Sequence, residues 1–406
     1  MNRLLLIHLP LVGVLAALAD LLAGTPARGG EVDISGNVEL QARAFWQNPA
    51  WVGQDDQAVQ GTITSTTEFR WRNADRNQRA SLIPYLRWDA TDDERSLADL
   101  KEAYWAFEGD DYEVLVGANT VFWGVTESVH LVDIVNQTDF AGDVDGEDKL
   151  GQPMVSLTLQ RDWGEVTAFV MPYFRERTFT GVDGRFRTPL PVDTDNPVFE
   201  SSDEENHVDV ALRYSHYIGD VDIGLNVFSG TSREPRFVPA PDGQSLLPVY
   251  DQIDQFGVDL QYTKEAWLWK LEAIARDGAE DSFAAAVGGF EYTFYQVAES
   301  AADIGLLLEY QYDGRDESEP LTINDNDVFV ATRWALNDVQ DSAVLAGFSY
   351  DVDTGGTFVN IEAERRFGDD WFGELRVRAF SGAEPGDVTY IFRKDDYVQL
   401  SIARYF

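Results

Sequence analysis

Segments in which apolar and polar residues alternate constrain the fold of this chain more than any other feature. In the first segment, Val32, Ile34, Val38 and Leu40 are separated by polar or small residues such as Glu39. Successive side chains of a strand point to opposite faces, so the segment has one apolar face and one wet face. A tilted strand needs about 9–11 residues to cross a bilayer, and each alternating segment is long enough to do so.

The links between these segments are of two kinds. Short links such as 219–220 and 368–370 tend to alternate with longer ones, as in bacterial outer-membrane barrels. Links at 91–97, 278–282 and 353–355 are short where a loop is expected, which leaves a count of sixteen strands open. The longer links lie at 47–60, 125–151, 177–205, 232–251 and 383–394.

We therefore predict an all-β fold, a transmembrane antiparallel up-and-down β-barrel of about 16–18 strands, with both termini on the short-turn, periplasmic side. The predicted strands lie near 31–46, 61–72, 79–90, 98–109, 111–124, 152–162, 164–176, 206–219, 220–231, 252–264, 266–277, 283–295, 302–313, 326–336, 341–352, 356–367, 371–382 and 395–406.

A secreted β-sandwich or propeller would also show alternation, but three features favour the membrane barrel. The strands are longer than the usual five or six residues or so of soluble sheets. No repeat at a propeller period stands out. Aromatic rings gather near the strand ends, where they suit a membrane–water interface: Phe45, Trp46, Trp71, Trp88, Trp123, Trp163, Trp267, Trp269, Trp334, Trp371, Tyr405 and Phe406.

The amino terminus has the pattern of a secretory signal peptide. Arg3 is followed by an apolar stretch from Leu4 to Leu18, and small residues near Ala27 suit cleavage. A membrane-anchoring helix is the alternative, but Pro10 and Asp20 leave the apolar stretch short of the roughly 20 residues that a span needs. We predict a signal peptide at 1–27 and a single barrel domain at 28–406.

The composition excludes several classes of partner and site. With 31 basic and 71 acidic residues, the net charge of −40 argues against nucleic acid as a partner. The absence of cysteine excludes disulfides and thiolate chemistry. Oxygen-rich stretches at 143–148 and 324–327 would suit calcium, but neither has the EF-hand spacing. We predict neither a metal site nor a cofactor.

The final strand carries a family resemblance. Val398, Leu400, Ile402 and the terminal Phe406 resemble the assembly signal of Gram-negative outer-membrane barrels, whereas Arg404 occupies a position that is usually apolar. The resemblance implies a protein that the barrel-assembly machinery inserts among lipid and lipopolysaccharide. A long arginine near the rim of the barrel can reach the headgroups.

A second resemblance lies between residues 100 and 139. The stretch Leu100-Lys-Glu-Ala-Tyr-Trp, then Val116-Gly-Ala-Asn-Thr-Val-Phe-Trp-Gly-Val-Thr-Glu and Asp133-Ile-Val-Asn-Gln-Thr-Asp139, resembles a segment of uncharacterised porin-like outer-membrane proteins. It supports the barrel and says little about a solute.

The face opposite the apolar one carries charges of both signs. Burying lone charges costs several kcal/mol each, and a barrel of sixteen to eighteen strands or so is wide enough for water. This predicts an outer-membrane channel for passive diffusion of small hydrophilic solutes, mildly cation-favouring because the chain is acidic. Its inward wall includes Glu39, Arg43, Glu68, Arg70, Arg72, Arg87, Asp89, Arg213, Asp259, Lys270, Glu272, Arg276, Glu309, Arg333, Glu362, Glu374, Arg376 and Arg378.

The link at 125–151 follows the fifth predicted strand. In general porins the third loop folds into the barrel at this position, and the resemblance implies the same for this link. We predict that its acids face the wall residues Arg43, Arg70, Arg72 and Arg87 across a constriction; a solvated external loop is the alternative. The acids are Glu127, Asp133, Asp139, Asp143, Asp145, Glu147 and Asp148.

Two further functions remain open. A channel specific for a hydrophobic or oligosaccharide solute would need an aromatic track. A hydrolase is disfavoured, because His130, His207 and His216 have no nucleophile motif near them; we predict no enzyme activity. The candidate track comprises Phe45, Tyr85, Phe169, Tyr173, Phe228, Phe290, Tyr292, Phe294, Phe348, Tyr350 and Phe380. A homo-oligomer is possible on this architecture.

Overall fold

The computed structural model describes residues 30–279 and 281–406, so the predicted signal peptide lies outside the described residues. Eighteen antiparallel strands form one closed sheet, and three short strands lie in the loops. The strands are β1 Glu31–Phe45, β2 Val59–Arg72, β3 Gln78–Asp89, β4 Leu97–Glu108, β5 Tyr112–Asn119, β6 Gln152–Arg161, β7 Gly164–Met171, β8 Val198–Phe199, β9 Asp209–Ile218, β10 Val221–Thr231, β11 Arg236–Pro239, β12 Leu246–Tyr250, β13 Gln252–Lys264, β14 Trp267–Asp277, β15 Ser282–Phe294, β16 Asp303–Asp313, β17 Asn326–Ala335, β18 Ala343–Asp351, β19 Thr357–Phe367, β20 Trp371–Ser381 and β21 Tyr397–Tyr405.

The barrel closes between its first and last strands. β1 pairs with β21 from Asn37 opposite Tyr405 to Phe45 opposite Tyr397, and it pairs with β2 on its other edge. The predicted all-β, up-and-down architecture is confirmed, and eighteen strands is the upper of the two predicted counts. Closure leaves no sheet edge without hydrogen bonds, which a membrane requires.

The two ends of the barrel differ in the lengths of their links. At one end, which we call the turn end, the links run from 2 residues at 162–163 to 8 residues at 295–302. At the other end, which we call the loop end, the longest links are those at 120–151 and 172–208. Because the barrel has an even number of strands, β1 begins and β21 ends at the turn end.

Two predicted strands end earlier than the alternation indicated. β5 ends at Asn119 rather than at 124, because Val121 donates its backbone N–H to the side chain of Asn136, 2.8 Å away. The chain thus leaves the wall and turns inward. β7 likewise ends at Met171 rather than at 176.

A small sheet that the sequence analysis missed connects two of the loops. β12 pairs with β11 in antiparallel orientation and with β8 in parallel orientation. These strands have only 2 to 5 residues, too few for periodicity to show. The sheet joins the 172–208 loop to the 232–251 loop.

Exposure along the strands distinguishes the two faces of the wall. Leu271 and Leu308 are 38% and 40% exposed on the outside, whereas the neighbouring inward Glu272 and Glu309 are 0% and 2% exposed. The predicted outward position of Val32, Ile34, Val38 and Leu40 is confirmed.

The facing predicted for two strands is wrong. Glu291 on β15 is buried, and Phe290 and Tyr292 pack beside Trp267 on the outer face. On β18, Phe348 and Tyr350 are exposed on the outside. Phe294 is also exposed, so these rings belong to no internal track; Phe45, Phe169, Phe228 and Phe380 are buried inside.

Two hydrophobic clusters in the barrel interior include residues of the loops. Loop residues Val132 and Val135 pack with Met171, Phe228 and other wall residues in the first. Val144, Phe186 and Phe392, from three different loops, pack with Phe45 and Tyr397 in the second. Each such large side chain contributes about 1.5–3 kcal/mol when fully buried. The loops are therefore held inside by apolar packing as well as by charge.

Within the described ranges, no helix has the length and apolar character to cross a membrane.

Candidate constriction and the cavity beside it

The 120–151 loop crosses the barrel interior and reaches the opposite wall. Glu272 on β14 accepts hydrogen bonds from the backbone N–H groups of Val125 and Thr126, at 2.7 and 3.0 Å, and from the Thr126 hydroxyl at 2.7 Å. Charge-assisted bonds of this kind are about twice as strong as neutral ones. A buried wall carboxylate therefore holds the tip of the loop.

A second wall carboxylate holds the next turn of the loop. Glu309 on β16 accepts from the backbone N–H groups of Glu127 and Ser128, each at 2.9 Å, and from the Ser128 hydroxyl at 2.6 Å. Glu127 in turn pairs with Arg333 on β17 at 2.6 Å and lies 3.7 Å from Lys270.

On the other side of the barrel, arginines of the wall hold the loop. Arg87 on β3 binds both carboxylate oxygens of Asp139 and donates from Nε to the carbonyl oxygen of Arg95 at 2.6 Å. Arg43 on β1 donates to Gln399 at 2.9 Å and to the carbonyl oxygen of Gly142 at 3.4 Å.

A third group of contacts involves β20 and β21. Arg376 pairs with Asp143 at 2.5 Å, and the Tyr397 hydroxyl donates to the same carboxylate at 3.1 Å. Arg378 pairs with Asp145 at 2.9 Å and with Glu362 at 2.6 Å. The loop is thus anchored at several widely separated points of the wall.

All seven acids predicted for the loop have a cationic partner in the structure. Direct ion pairs replace the predicted arrangement, in which the loop acids and the wall arginines face each other across a constriction. The pairs are Glu127–Arg333, Asp133–Lys149, Asp139–Arg87, Asp143–Arg376, Asp145–Arg378, Glu147–His130 and Asp148–Lys101.

Four other predicted wall residues lie away from this loop. Arg70 and Arg72 lie on the inner face at the turn end of β2, and Arg70 is 54% exposed and pairs with Glu68 at 3.0 Å. Glu39 accepts from Gln41 at 2.8 Å. The prediction that Arg70 and Arg72 face the loop acids is wrong, because β2 enters the turn at 73–77 immediately after them.

Several ionisable groups of the loop have shifted pKa values. Burial disfavours protonated His130, but the neighbouring carboxylates of Glu147 and Glu272 outweigh it and raise its pKa to about 10. Burial and the neighbouring charge of Asp143 raise the pKa of Asp145 to about 7. Asp143 is also buried, but Arg378, Arg43 and Arg376 hold its pKa well below its usual range.

A cavity of about 530 Å³ lies on the loop-end side of the constriction loop. Five loops contribute to its lining, those at 120–151, 172–208, 232–251, 314–325 and 382–396. Both phenylalanine rings and arginines line the cavity. These include Phe140, Phe179, Phe237, Arg177, Arg276 and Arg315.

Within the part of the chain that the structure describes, no group of three or more histidine and acidic side chains is arranged to hold a metal ion. In the 143–148 stretch, Asp143 and Asp145 bind arginines. His207 lies 2.9 Å from Asp209, which also binds Arg233.

No family model and no curated protein matches the sequence. Among solved structures, OccK5 (OpdH) of Pseudomonas aeruginosa has a TM-score of 0.54 at 10% identity, over 93% of this chain and 97% of that one. Wzi of Escherichia coli, described as an outer membrane protein of group 1 capsule assembly and a carbohydrate-binding β-barrel, has a TM-score of 0.53 at 9% identity, over 97% and 88%. The fold is that of a porin-like outer-membrane β-barrel.

A third structure, OmpT of Vibrio cholerae, has a TM-score of 0.43 at 11% identity, over 94% of this chain and 99% of that one.

Four residues that anchor the loop of this porin-like barrel belong to the predicted inner wall, although the sequence does not assign them to the constriction. They are Glu272, Glu309, Arg376 and Arg378, and the contacts above show that they hold the loop. Alternation of apolar and polar residues along β14, β16 and β20 predicts that these side chains point into the barrel. Their partners are more than 100 residues away in sequence, so no local pattern indicated the contacts.

Proposed function

We propose that the protein is an outer-membrane channel for passive diffusion of small hydrophilic solutes. The observation that supports this most is the position of the 120–151 loop, which crosses the interior between a charged, solvent-exposed wall at the turn end and the cavity at the loop end. A loop in this position narrows a water-filled barrel without removing its charged wall.

We propose a mild preference for cations. The whole chain has a net charge of −40. The acids of the constriction are paired with cations, so the excess negative charge acts from other parts of the chain. Salt screens charges beyond about 10 Å at 0.1 M, which limits how strongly that excess selects among ions.

The location and assembly follow the sequence predictions. We propose cleavage of a signal peptide at 1–27, insertion of the 28–406 domain by the barrel-assembly machinery, and contact with lipid and lipopolysaccharide. Both termini then face the periplasm. A homo-oligomer remains compatible with this proposal.

A channel specific for one class of solute is the second candidate. It is favoured by the cavity, where Phe179 lies 5.6 Å from Phe237 and 6.1 Å from Phe140 between ring centroids. Wzi, which shares the fold, is described as binding carbohydrate. Solute block of the ion current, in the experiment below, distinguishes a specific channel from a general one.

We infer that the barrel is not an enzyme. The ring of His130 lies between Glu147 and Glu272, at 3.2 and 3.7 Å, an arrangement that suits a charged structural contact. Lipid and peptide hydrolysis by the purified protein tests this inference, and turnover that is lost in His130→Gln would overturn it.

The deciding experiment is conductance in planar bilayers. We expect stepwise currents in KCl, with a reversal potential in asymmetric salt that corresponds to a mild cation preference. The same protein heat-denatured before addition is the control. Absence of steps from folded protein would contradict the channel proposal, and an anion-selective reversal potential would contradict the proposed preference.

A further inference from the structure

Three arginines from separate parts of the chain converge on Glu234 in the lining of the cavity. Arg276 on β14 lies 2.5 Å from the Glu234 carboxylate, and Arg315 of the 314–325 loop lies 3.6 Å from it. Arg177 comes from the 172–208 loop and is the third cation acting on the same carboxylate. All four residues line the cavity.

The contacts of these arginines leave hydrogen-bonding capacity unused. Among the described residues, none of the ion pairs includes Arg177, whose Nε makes one long contact of 3.4 Å with Gln137. Burial and the repulsion of Arg315 and Arg276 lower its pKa, although Glu234 acts in the opposite direction. An additional negative group beside Arg177 would relieve this repulsion.

Arg315 supplies an independent observation. Its side chain is only 6% exposed, and its Nε has no hydrogen-bond partner although it is buried. Its Nη2 is occupied by Asp313 at 2.7 Å. Glu319 also acts on Arg315, but its oxygens accept from the backbone N–H groups of Ala279 and Asp281. A buried donor without an acceptor costs free energy, which a ligand oxygen would recover.

The same cavity has an apolar side. Phe179 and Phe237 meet edge to face, and Leu321 and Ile323 line the cavity from the loop that carries Arg315. A volume of about 530 Å³ lies in the range of ligand sites, which run from roughly 300 to 1,000 Å³. The lining therefore suits a molecule with a charged head and an apolar body.

We propose that this cavity binds a small organic carboxylate, with its carboxyl group among Arg177, Arg276 and Arg315 and its apolar part against Phe179 and Phe237. Planar guanidinium groups bind carboxylates through two parallel hydrogen bonds, so arginine suits this role better than lysine. The proposal rests on the channel function, since the anion reaches the cavity as a solute. Direct contact inside a cavity is compatible with a weak overall preference for cations, which depends on charges farther away.

The test is calorimetric titration of the folded, full-length mature protein in detergent with benzoate, its neutral analogue benzamide and inorganic phosphate. We expect benzoate to bind at least about tenfold more tightly than benzamide, because a site built for a charge-assisted bond rejects the neutral analogue. Phosphate should bind more weakly than benzoate, because it lacks the apolar part. Equal binding of benzoate and benzamide, or tighter binding of phosphate, would overturn the proposal.

Variants assign the site. Arg177→Gln should weaken benzoate binding at least about tenfold. Arg177→Lys should have an intermediate effect, because lysine keeps the positive charge but lacks the planar guanidinium that makes two parallel hydrogen bonds. Phe179→Ala should weaken benzoate and leave phosphate unchanged. Arg161→Gln, an exposed residue at the turn end paired with Asp111, is the matched control and should bind as the parent does. Heat-modifiable migration confirms folding of each variant, and unchanged benzoate binding in folded Arg177→Gln overturns the proposal.

Conductance in KCl separates this inference from the channel proposal. Stepwise currents without benzoate binding would overturn the carboxylate site and leave the channel. Benzoate binding that depends on Arg177, without any current, would overturn the channel and leave the site. We expect both currents and partial block by benzoate from the loop-end side.

Discussion

Arg87 and Asp139 form a bidentate ion pair, with 2.7 Å between Nη1 and Oδ2 and 3.0 Å between Nη2 and Oδ1. Both side chains are almost completely buried, at 2% and 4% exposure. The pair joins β3 to the middle of the 120–151 loop. It is the clearest point at which the loop can be released from the wall.

We expect Asp139→Asn to loosen the loop and to raise single-channel conductance. Removing one partner of a buried pair leaves the other charge uncompensated and typically costs about 3–5 kcal/mol. The midpoint of urea unfolding in detergent should therefore fall. Asp148→Asn is the control, because Asp148 is half exposed and lies 3.7 Å from Lys101. If both variants unfold and conduct like the parent, the Arg87–Asp139 pair does not hold the loop.

Glu309→Gln tests the anchor on the opposite wall. The substitution weakens the charge-assisted bonds to Glu127 and Ser128, so the tip of the loop should become more mobile. We expect noisier and larger conductance steps. Glu364→Gln changes the same residue type at an exposed position on the inner wall. It should leave the noise of the single-channel current at the level of the parent. Equal noise in the two variants would contradict the anchoring role of Glu309.

Ion selectivity should depend on pH near neutrality because of Asp145. With a pKa of about 7, its carboxyl group is largely neutral at pH 6 and ionised at pH 8. The constriction gains a negative charge over this interval, so the cation preference measured from reversal potentials should increase. Asp145→Asn should remove that increase. A parent channel whose selectivity is flat from pH 6 to 8 would contradict the prediction.

His130 should stabilise the folded barrel at neutral pH and cease to do so in alkali. Its pKa rises from 6.5 to about 10 on folding, so the stabilisation is fully present below pH 6.5 and is lost as the pH passes through 10. The difference in melting temperature between the parent and His130→Gln should shrink between pH 7 and 10.5. A constant difference over this range would mean that the imidazolium charge is not responsible.

The carboxyl terminus offers a test of assembly. Phe406 exchanges backbone hydrogen bonds with Gly36, at 3.0 and 3.1 Å, and its ring lies over that glycine. Phe406→Ala keeps the backbone bonds and removes the ring, so we expect less folded protein in the outer membrane by heat-modifiable migration. Phe367→Ala removes a different exposed ring, at the end of β19, and is the control. Equal yields would leave Phe406 without a special role in assembly.

The atypical Arg404 has a structural explanation. Its guanidinium lies 5.7 Å from the centre of the Trp371 ring on the neighbouring strand, on the outer face near the turn end. An aromatic ring at the interface stabilises a cation there. The departure from the apolar pattern is thus accommodated beside an interfacial tryptophan.

Alternation of apolar and polar residues gives the wrong facing for a strand when both of its faces are apolar. On β15, Phe283 and Ala285 face inward and pack in the hydrophobic cluster formed with the constriction loop. The opposite face of the strand carries Phe290 and Tyr292. Alternation indicates which way a strand faces only when one of its faces is polar. This part of β15 has no such polar face, so the aromatic rings were predicted on the wrong side.

Alternation in the sequence is sufficient to predict the wall of the barrel. Lipid on one side and polar groups on the other impose a period of two on each spanning strand, so the strand positions, the inward charges and the two kinds of link could be predicted. The ion-pair partners of the inward charges, in contrast, depend on the folded barrel. Arg87 meets Asp139 and Arg177 approaches Arg276 and Arg315 because closure of the barrel and inward folding of its loops bring distant segments together, and ion pairing depends on those distances rather than on any local period.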